Sequence, residues 1–385
     1  MTLADDGAST PAQVPFPPQP GDVTTEWLTS VLHEAGALGT STTVTAIRHD
    51  LLSEGVGMMG TVSRLHVEYD QPGAGPVSLI LKSASEAPMS RQVAAQFRLY
   101  EREVNFYLGL GEALEPTVPH AYFAEYAPQT VDYAILMQDF NGYQTGDQVL
   151  GADIEQARRA VEALAQFHAQ YWDRVDDPAL AWVPSTNSDL VRDSMIEGCI
   201  AGWDKMAGLF TDLPERLKAA KADYLSRLPA LYAAMVEGHQ TLAHTDYRAD
   251  NLLFGSEPGH QPIVILDWSA VAKSKGVQDL AYFLTQNLSE HCRANHENEL
   301  HGLYYETLVK EGVDNYSFDE FDRDYELGVL FNFVYAIVIA SALDISNERA
   351  TAFVGKLASR SAECILERGL LDTLLPTLPA SGVSA

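Results

Sequence analysis

The segment His244-Thr245-Asp246-Tyr247-Arg248-Ala249-Asp250-Asn251, with the apolar run that follows and ends in Asp267, constrains this chain more than any other feature. Asp246 and Asn251 stand five residues apart, and Asp267 comes sixteen after Asn251. Residues 263–266, Ile-Val-Ile-Leu, read as a short buried strand that presents the Asp267 carboxylate at its end. Two carboxylates and an amide oxygen are hard donors, the set that Mg2+ prefers. The spacing is that of a loop in which the Asp orients a reacting hydroxyl and takes its proton, while the Asn binds the metal. A hairpin whose Asp and Asn residues merely satisfy turns is the competing reading.

Upstream, residues 55–60 spell Gly-Val-Gly-Met-Met-Gly, a literal G-x-G-x-x-G. A dinucleotide-binding loop must open a helix whose N-terminus receives the pyrophosphate. Residues 61–69 instead alternate like a strand, with Leu65, Val67 and Tyr69 against His66 and Glu68. A glycine loop between two strands suits backbone N–H groups that approach phosphate, and a ligand-free glycine hairpin is the plainer alternative. Lys82 ends the alternating run Val77, Leu79, Leu81, where an ammonium is costly unless it meets an anion. Glu103 is its candidate partner, because it shares a helix flank with Phe106 and Tyr107; Glu101 competes for the role. Either Glu read alone would be an ordinary solvated helix charge.

The pattern along the chain is β-rich first and helical later. Five prolines among small polar residues mark 1–22 as an extended tail, and a helix is expected to start near Thr24 or Thr25. Strands are expected at 43–52, 61–69 and 77–82, a long helix over 90–110, and more strand over 119–138. From 153 onward helices dominate, interrupted by a β-rich stretch at 241–268. This divides the chain into a β-sheet lobe at 23–138, a connector at 139–142, a helical lobe at 143–376 and a tail at 377–385.

Composition removes several function classes. Twenty-five Lys and Arg against 53 Asp and Glu leave a net charge of −28, which argues against a nucleic-acid surface. Three widely spaced cysteines, Cys199, Cys292 and Cys364, form neither a disulfide framework nor a CxxC zinc site, and a cytoplasmic setting is expected. The uncharged run Leu327–Leu343 contains Asn332 and has Glu326 and Asp344 at its ends, so a buried core helix is expected and membrane insertion is not. HENELH at 296–301 places its histidines five apart, off the shared helical face a zinc site needs.

Taken together, GVGMMGTVSRL (55–65), LILK (79–82), EVNFY (103–107), LAQFHAQYW (164–172), HTDYRADNLLF (244–254) and LDWSAVAKSKGVQDLAYFL (266–284) resemble the aminoglycoside phosphotransferase/choline kinase superfamily, most closely its ecdysteroid-kinase-like branch. The strings occur in family order over residues 25–345. The resemblance implies a bilobal, protein-kinase-like α+β fold with ATP between the lobes. It implies that the loop of Gly55, Gly57 and Gly60 covers the phosphates, and that Lys82 holds them while paired with Glu103. Backbone groups near Gln138 and Phe140 would bind adenine. Asp246 would be the catalytic carboxylate, Asn251 and Asp267 the Mg2+ ligands, and His244 and Asp279 would brace the loop.

Three positions depart from the family pattern: Thr245 where Gly is frequent, Trp268-Ser269 where protein kinases have Phe-Gly, and Gln138 where an acidic residue is common. None removes a reacting group, so an active ATP- and Mg2+-dependent phosphotransferase is expected, acting on a hydroxyl of a small molecule. Trp203, Met206, Phe210, Phe331, Phe333 and Tyr335 suggest a hydrophobic alcohol as acceptor, with an aminoglycoside or a hydroxyacyl thioester as alternatives. A non-catalytic ATP-binding protein and a dinucleotide-dependent oxidoreductase are the readings from other classes.

Overall fold

A computed structural model describes residues 15–52, 59–342 and 348–381. Its fold is α+β, in two compact units. The first comprises the residues up to Gly111 together with His120–Asp139; the second comprises Glu112–Pro119 and the chain from Phe140 onward.

The first unit begins with α1 (Thr25–Glu34), whose start is fixed by the Thr24 hydroxyl accepting the Trp27 N–H at 3.1 Å. It continues with β1 (Val44–Leu51), β2 (Gly60–Tyr69), β3 (Ser78–Ala84), α2 (Pro88–Gln96), α3 (Leu99–Phe106), β4 (Ala121–Ala127) and β5 (Asp132–Gln138). The five strands form one antiparallel sheet in the order β1-β2-β3-β5-β4. Alternation along β2 and β3 turns Leu65, Val67, Leu79 and Leu81 into a core shared with Leu28, Val31 and Leu32 of α1. The single helix expected over 90–110 is broken: Arg98 adopts a left-handed φ of 55° that ends one helix and starts the next, and residues 107–111 widen into a π-turn. Residues 15–22, expected as part of a loose tail, are packed down, because Phe16 is buried against Phe123 and Gln19 donates to the Ala84 carbonyl.

The second unit contains β6 (Gln144–Thr145), α4 (Ile154–Gln170), α5 (Asp189–Leu209), α6 (Glu215–Ala219), α7 (Lys221–Ala234), β7 (Thr241–Ala243), β8 (Leu252–Phe254), β9 (Ile263–Ile265), β10 (Ala272–Ser274), α8 (Val277–Gln286), α9 (Glu290–Lys310), α10 (Phe318–Ala342), α11 (Glu348–Glu367) and α12 (Leu370–Thr373). A capping box of Asp153 and Gln156 starts α4. Helix α10 is long and apolar enough to cross a membrane by length and composition, yet two thirds of its apolar window (67%) is buried inside the protein. It lies close against α5 and α8: a Cβ at Gly202 would sit 2.5 Å from the Ile337 carbonyl, and one at Gly328 2.7 Å from that of Val277. Asn332, the polar residue in its middle, is buried and donates to the Gln278 carbonyl at 2.9 Å. Packing on several sides explains its continuous hydrophobicity. The C-terminal residues expected as a tail are also tied down, with Ser381 N–H on the Ser226 carbonyl and Arg227 on that of Leu378.

Candidate functional site

Two short antiparallel sheets position the polar residues of the second unit. Strand β7 pairs with β10, matching Ala243 to Ala272, while β8 pairs with β9, matching Leu252 to Ile265. The loop leaving β7 carries His244 to Asn251, and the loop leaving β9 carries Asp267. Further bonds join the two loops: Leu266 N–H to the Asn251 carbonyl at 2.9 Å, and His244 Nε2 to the Leu266 carbonyl at 2.9 Å. Since Nε2 donates there, Nδ1 is the acceptor for the Asp246 N–H at 3.3 Å, and one tautomer is held.

Asp246 is gripped from two sides. Asn251 Nδ2 donates to its Oδ2 and to its backbone carbonyl, both at 2.9 Å, and Arg248 Nε donates to Oδ2 at 3.2 Å. Asn251 turns its nitrogen to Asp246, which leaves the carbonyl oxygen, the amide atom able to bind a cation, on the side away from that carboxylate. Loss of surrounding water pushes the Asp246 carboxyl above the usual aspartate range, opposed by the Arg248 charge and assisted by that of Asp267. Asp267 is oriented by Ser269, whose hydroxyl donates to Oδ1 at 2.6 Å. Among the described residues no group of three or more His, Cys, Asp and Glu side chains could form a closed metal cage. A pair of oxygen donors on neighbouring loops fits Mg2+, which keeps waters and shares its shell with phosphates.

Two backbone corners accompany these carboxylates. Thr245 has φ 64° and Asp267 φ 62°, both left-handed, a conformation that costs on the order of 1–3 kcal/mol for a non-glycine residue. Buried Asp279 on α8 holds the first corner: Oδ2 accepts the His244 N–H at 2.5 Å and Oδ1 the Thr245 N–H at 2.7 Å. His168 in turn lies 3.2 Å from Asp279 Oδ2 and 2.7 Å from the Tyr304 hydroxyl. A side chain at Gly276 would collide with both rings, so glycine is required there by close packing.

In the first unit Lys82 Nζ donates to Glu103 Oε1 at 2.7 Å, with the Glu103 side chain 1% exposed. Glu101, the other candidate, pairs with Arg98 instead. Gly55 and Gly57 lie outside the described residues. Gly60 starts β2, and a Cβ there would lie 2.7 Å from the Tyr133 hydroxyl and 2.9 Å from the Ser83 carbonyl. Tyr133 stacks on Tyr100 at 4.2 Å, and the Tyr100 hydroxyl donates to the Met59 carbonyl, so two aromatic rings anchor the foot of the glycine loop. Gly60→Ala should therefore destabilise the protein by about 1–3 kcal/mol through overpacking, lowering the thermal midpoint by several degrees. An unchanged melting curve would refute this packing role.

Gln138 ends β5 with its N–H on the His120 carbonyl at 2.8 Å, and the Phe140 carbonyl accepts the Tyr143 N–H at 3.2 Å. Sequence reasoning missed the neighbouring Asp139, buried at 3% side-chain exposure under a bidentate Arg64 and the Ser78 hydroxyl. It also missed Arg248 as the partner of Asp246; an i, i+2 charge pair within a loop leaves no periodic signal. Four of the six suggested acceptor contacts are core residues: Trp203, Met206, Phe331 and Phe333 are at most 2% exposed, and Trp203 and Phe333 pack edge to face at 5.7 Å. Phe210 and Tyr335 remain partly exposed.

No curated protein matches the chain in a sequence search. Among solved structures, choline kinase from Cryptosporidium parvum Iowa II superposes with TM-score 0.54 at 10% identity, covering 91% of this chain and 99% of that one. Wild-type aminoglycoside 2'-phosphotransferase-IIIa, solved with GDP, superposes with TM-score 0.50 at 16% identity, covering 88% and 98%. These likenesses establish the fold. Residues 54–313 match the ecdysteroid kinase-like family, a span that includes Gly60, Lys82, Glu103, Asp246, Asn251 and Asp267. With more than half of its length matched, the chain belongs to the ecdysteroid kinase-like family of small-molecule phosphotransferases.

Proposed function

We propose that this protein transfers the γ-phosphoryl group of ATP to a hydroxyl of an uncharged, largely apolar small molecule, with Mg2+ as cofactor. The observation that carries the reading is the joining of Asp246, Asn251 and Asp267 by the hydrogen bonds of two adjacent loops. Asp246 orients the acceptor hydroxyl and takes its proton; its raised pKa makes it a stronger proton acceptor than a solvated aspartate. Asn251 Oδ1 and the Asp267 carboxylate hold Mg2+, which when bound neutralises phosphate charge. Lys82 of the first unit, oriented by Glu103, holds the α- and β-phosphates, and backbone around Gln138 and Phe140, where the two units meet in sequence, receives adenine.

Charge pairing near Asp246 supports this acceptor class. Arg248 lies 3.9 Å from Asp250, and Arg349 bridges Asp147 and Asp250 at 3.5 and 3.6 Å. An ammonium group would have to displace an arginine from each of these carboxylates. Partly exposed rings are close by: Phe353 faces the Arg248 guanidinium at 5.8 Å, and Tyr335 packs on buried Tyr282 at 5.5 Å. A steroid alcohol, a hydroxyacyl-CoA and an aminoglycoside, each assayed for ADP release and a phosphoester product, should separate the possibilities. Turnover of the steroid alcohol is expected. Preference for the aminoglycoside would overturn the charge argument, and ATP binding without phosphoester on any alcohol would favour a non-catalytic protein.

A further inference from the structure

We infer that Thr245 is a positioning residue whose hydroxyl locks together the two strained corners that bear the functional carboxylates. This rests on the proposed roles of Asp246 and Asp267. Thr245 immediately precedes Asp246, and its Oγ1 donates to the Ala270 carbonyl at 2.7 Å. Ala270 closes the single 3-10 turn, Trp268–Ala270, that begins directly after Asp267. One side-chain bond therefore ties the left-handed corner before Asp246 to the turn that fixes Asp267, itself left-handed.

Two features single out the hydroxyl. The backbone at φ 64° would be most comfortable as glycine, and a β-branched residue there is strained. The backbone N–H of residue 245 already has its partner in Asp279, a bond that any residue except proline could make. What threonine adds over glycine is the bond to Ala270. Without it the two loops still share the β7–β10 ladder and the Leu266–Asn251 bond, so the fold should survive while the carboxylates lose their mutual register. Supporting bonds of this kind alter metal affinity by about 10- to 100-fold.

The test compares Thr245→Ser, Thr245→Ala and Thr245→Gly for calorimetric affinity toward ATP with Mg2+, for thermal unfolding, and for amide hydrogen exchange of residues 244–251 without ligand. Serine should stay within about twofold of the parent, since it keeps the bond. Alanine and glycine should both lose about tenfold or more in affinity and exchange faster. They should do so although they differ in stability, because glycine relaxes the left-handed backbone and alanine does not. Parent-like affinity and exchange in alanine and glycine, or a loss that follows melting temperature across the series, would overturn the inference while leaving the functional reading intact. A parent protein that binds no ATP would overturn both.

Discussion

Asp246→Asn should abolish most phosphoryl transfer, by about 10²–10⁴-fold in kcat, while leaving ATP affinity within a few-fold. The amide keeps the shape of the side chain, so the Asn251 and Arg248 contacts retain their geometry. It cannot take a proton. The same change should make the metal-free protein more stable at neutral pH. The folded-state pKa of Asp246 is raised, so the folded protein binds this proton more tightly than the unfolded chain does. The contribution of this group to stability is greatest when it is protonated, and falls as pH climbs from the ordinary aspartate value through the raised one. Above that window the ionised carboxylate is a burden that asparagine removes. The gain in melting temperature over the parent should accordingly shrink as the pH is lowered toward 4. Near-normal turnover, or a loss of stability at pH 7, would contradict the assignment.

Asp267→Asn should act on binding as well as on rate. Asparagine tolerates the left-handed φ of 62° and can still accept from Ser269, so the turn should persist while the anionic ligand is lost. The expectation is a drop of about tenfold or more in the affinity for ATP measured with Mg2+, and little change in the affinity measured without it. Asp267→Ala is the less informative variant, because it also places a strained Cβ without the Ser269 bond. Equal losses with and without the metal would assign Asp267 to the loop rather than to magnesium.

The sequence made some of this arrangement readable because the signals are local. Asp246 and Asn251 share one loop, and five residues suffice for the amide to reach back to the carboxylate. Lys82 could be assigned a buried neighbourhood from the alternation of β3, and Glu103 a flank from helical spacing, which made Glu103 a candidate partner beside Glu101; the structure pairs Lys82 with Glu103. Features set by distant backbone were not readable. Arg98 breaks a helix through a left-handed φ that an ordinary helix-forming residue gives no warning of. Gly60 was expected to admit phosphate, whereas the structure supplies a separate reason for glycine in Tyr133 and Ser83. The β7–β10 ladder, the Thr245–Ala270 bond and the clasp of Arg64 on Asp139 join residues many positions apart. Apolar residues of the helical unit offered no way to separate core from binding surface. Trp203 and Phe333 fill the space between α5 and α10, while Phe353, beside Arg248, drew no attention.

The most direct test of the central claim is a calorimetric titration of the purified protein with ATP in the presence and absence of Mg2+, with the Asp267→Asn variant and NADH as controls. ATP should bind, more tightly with the metal and more weakly in the variant, and NADH should not match it. Absence of ATP binding, or binding of NADH in its place, would contradict the claim.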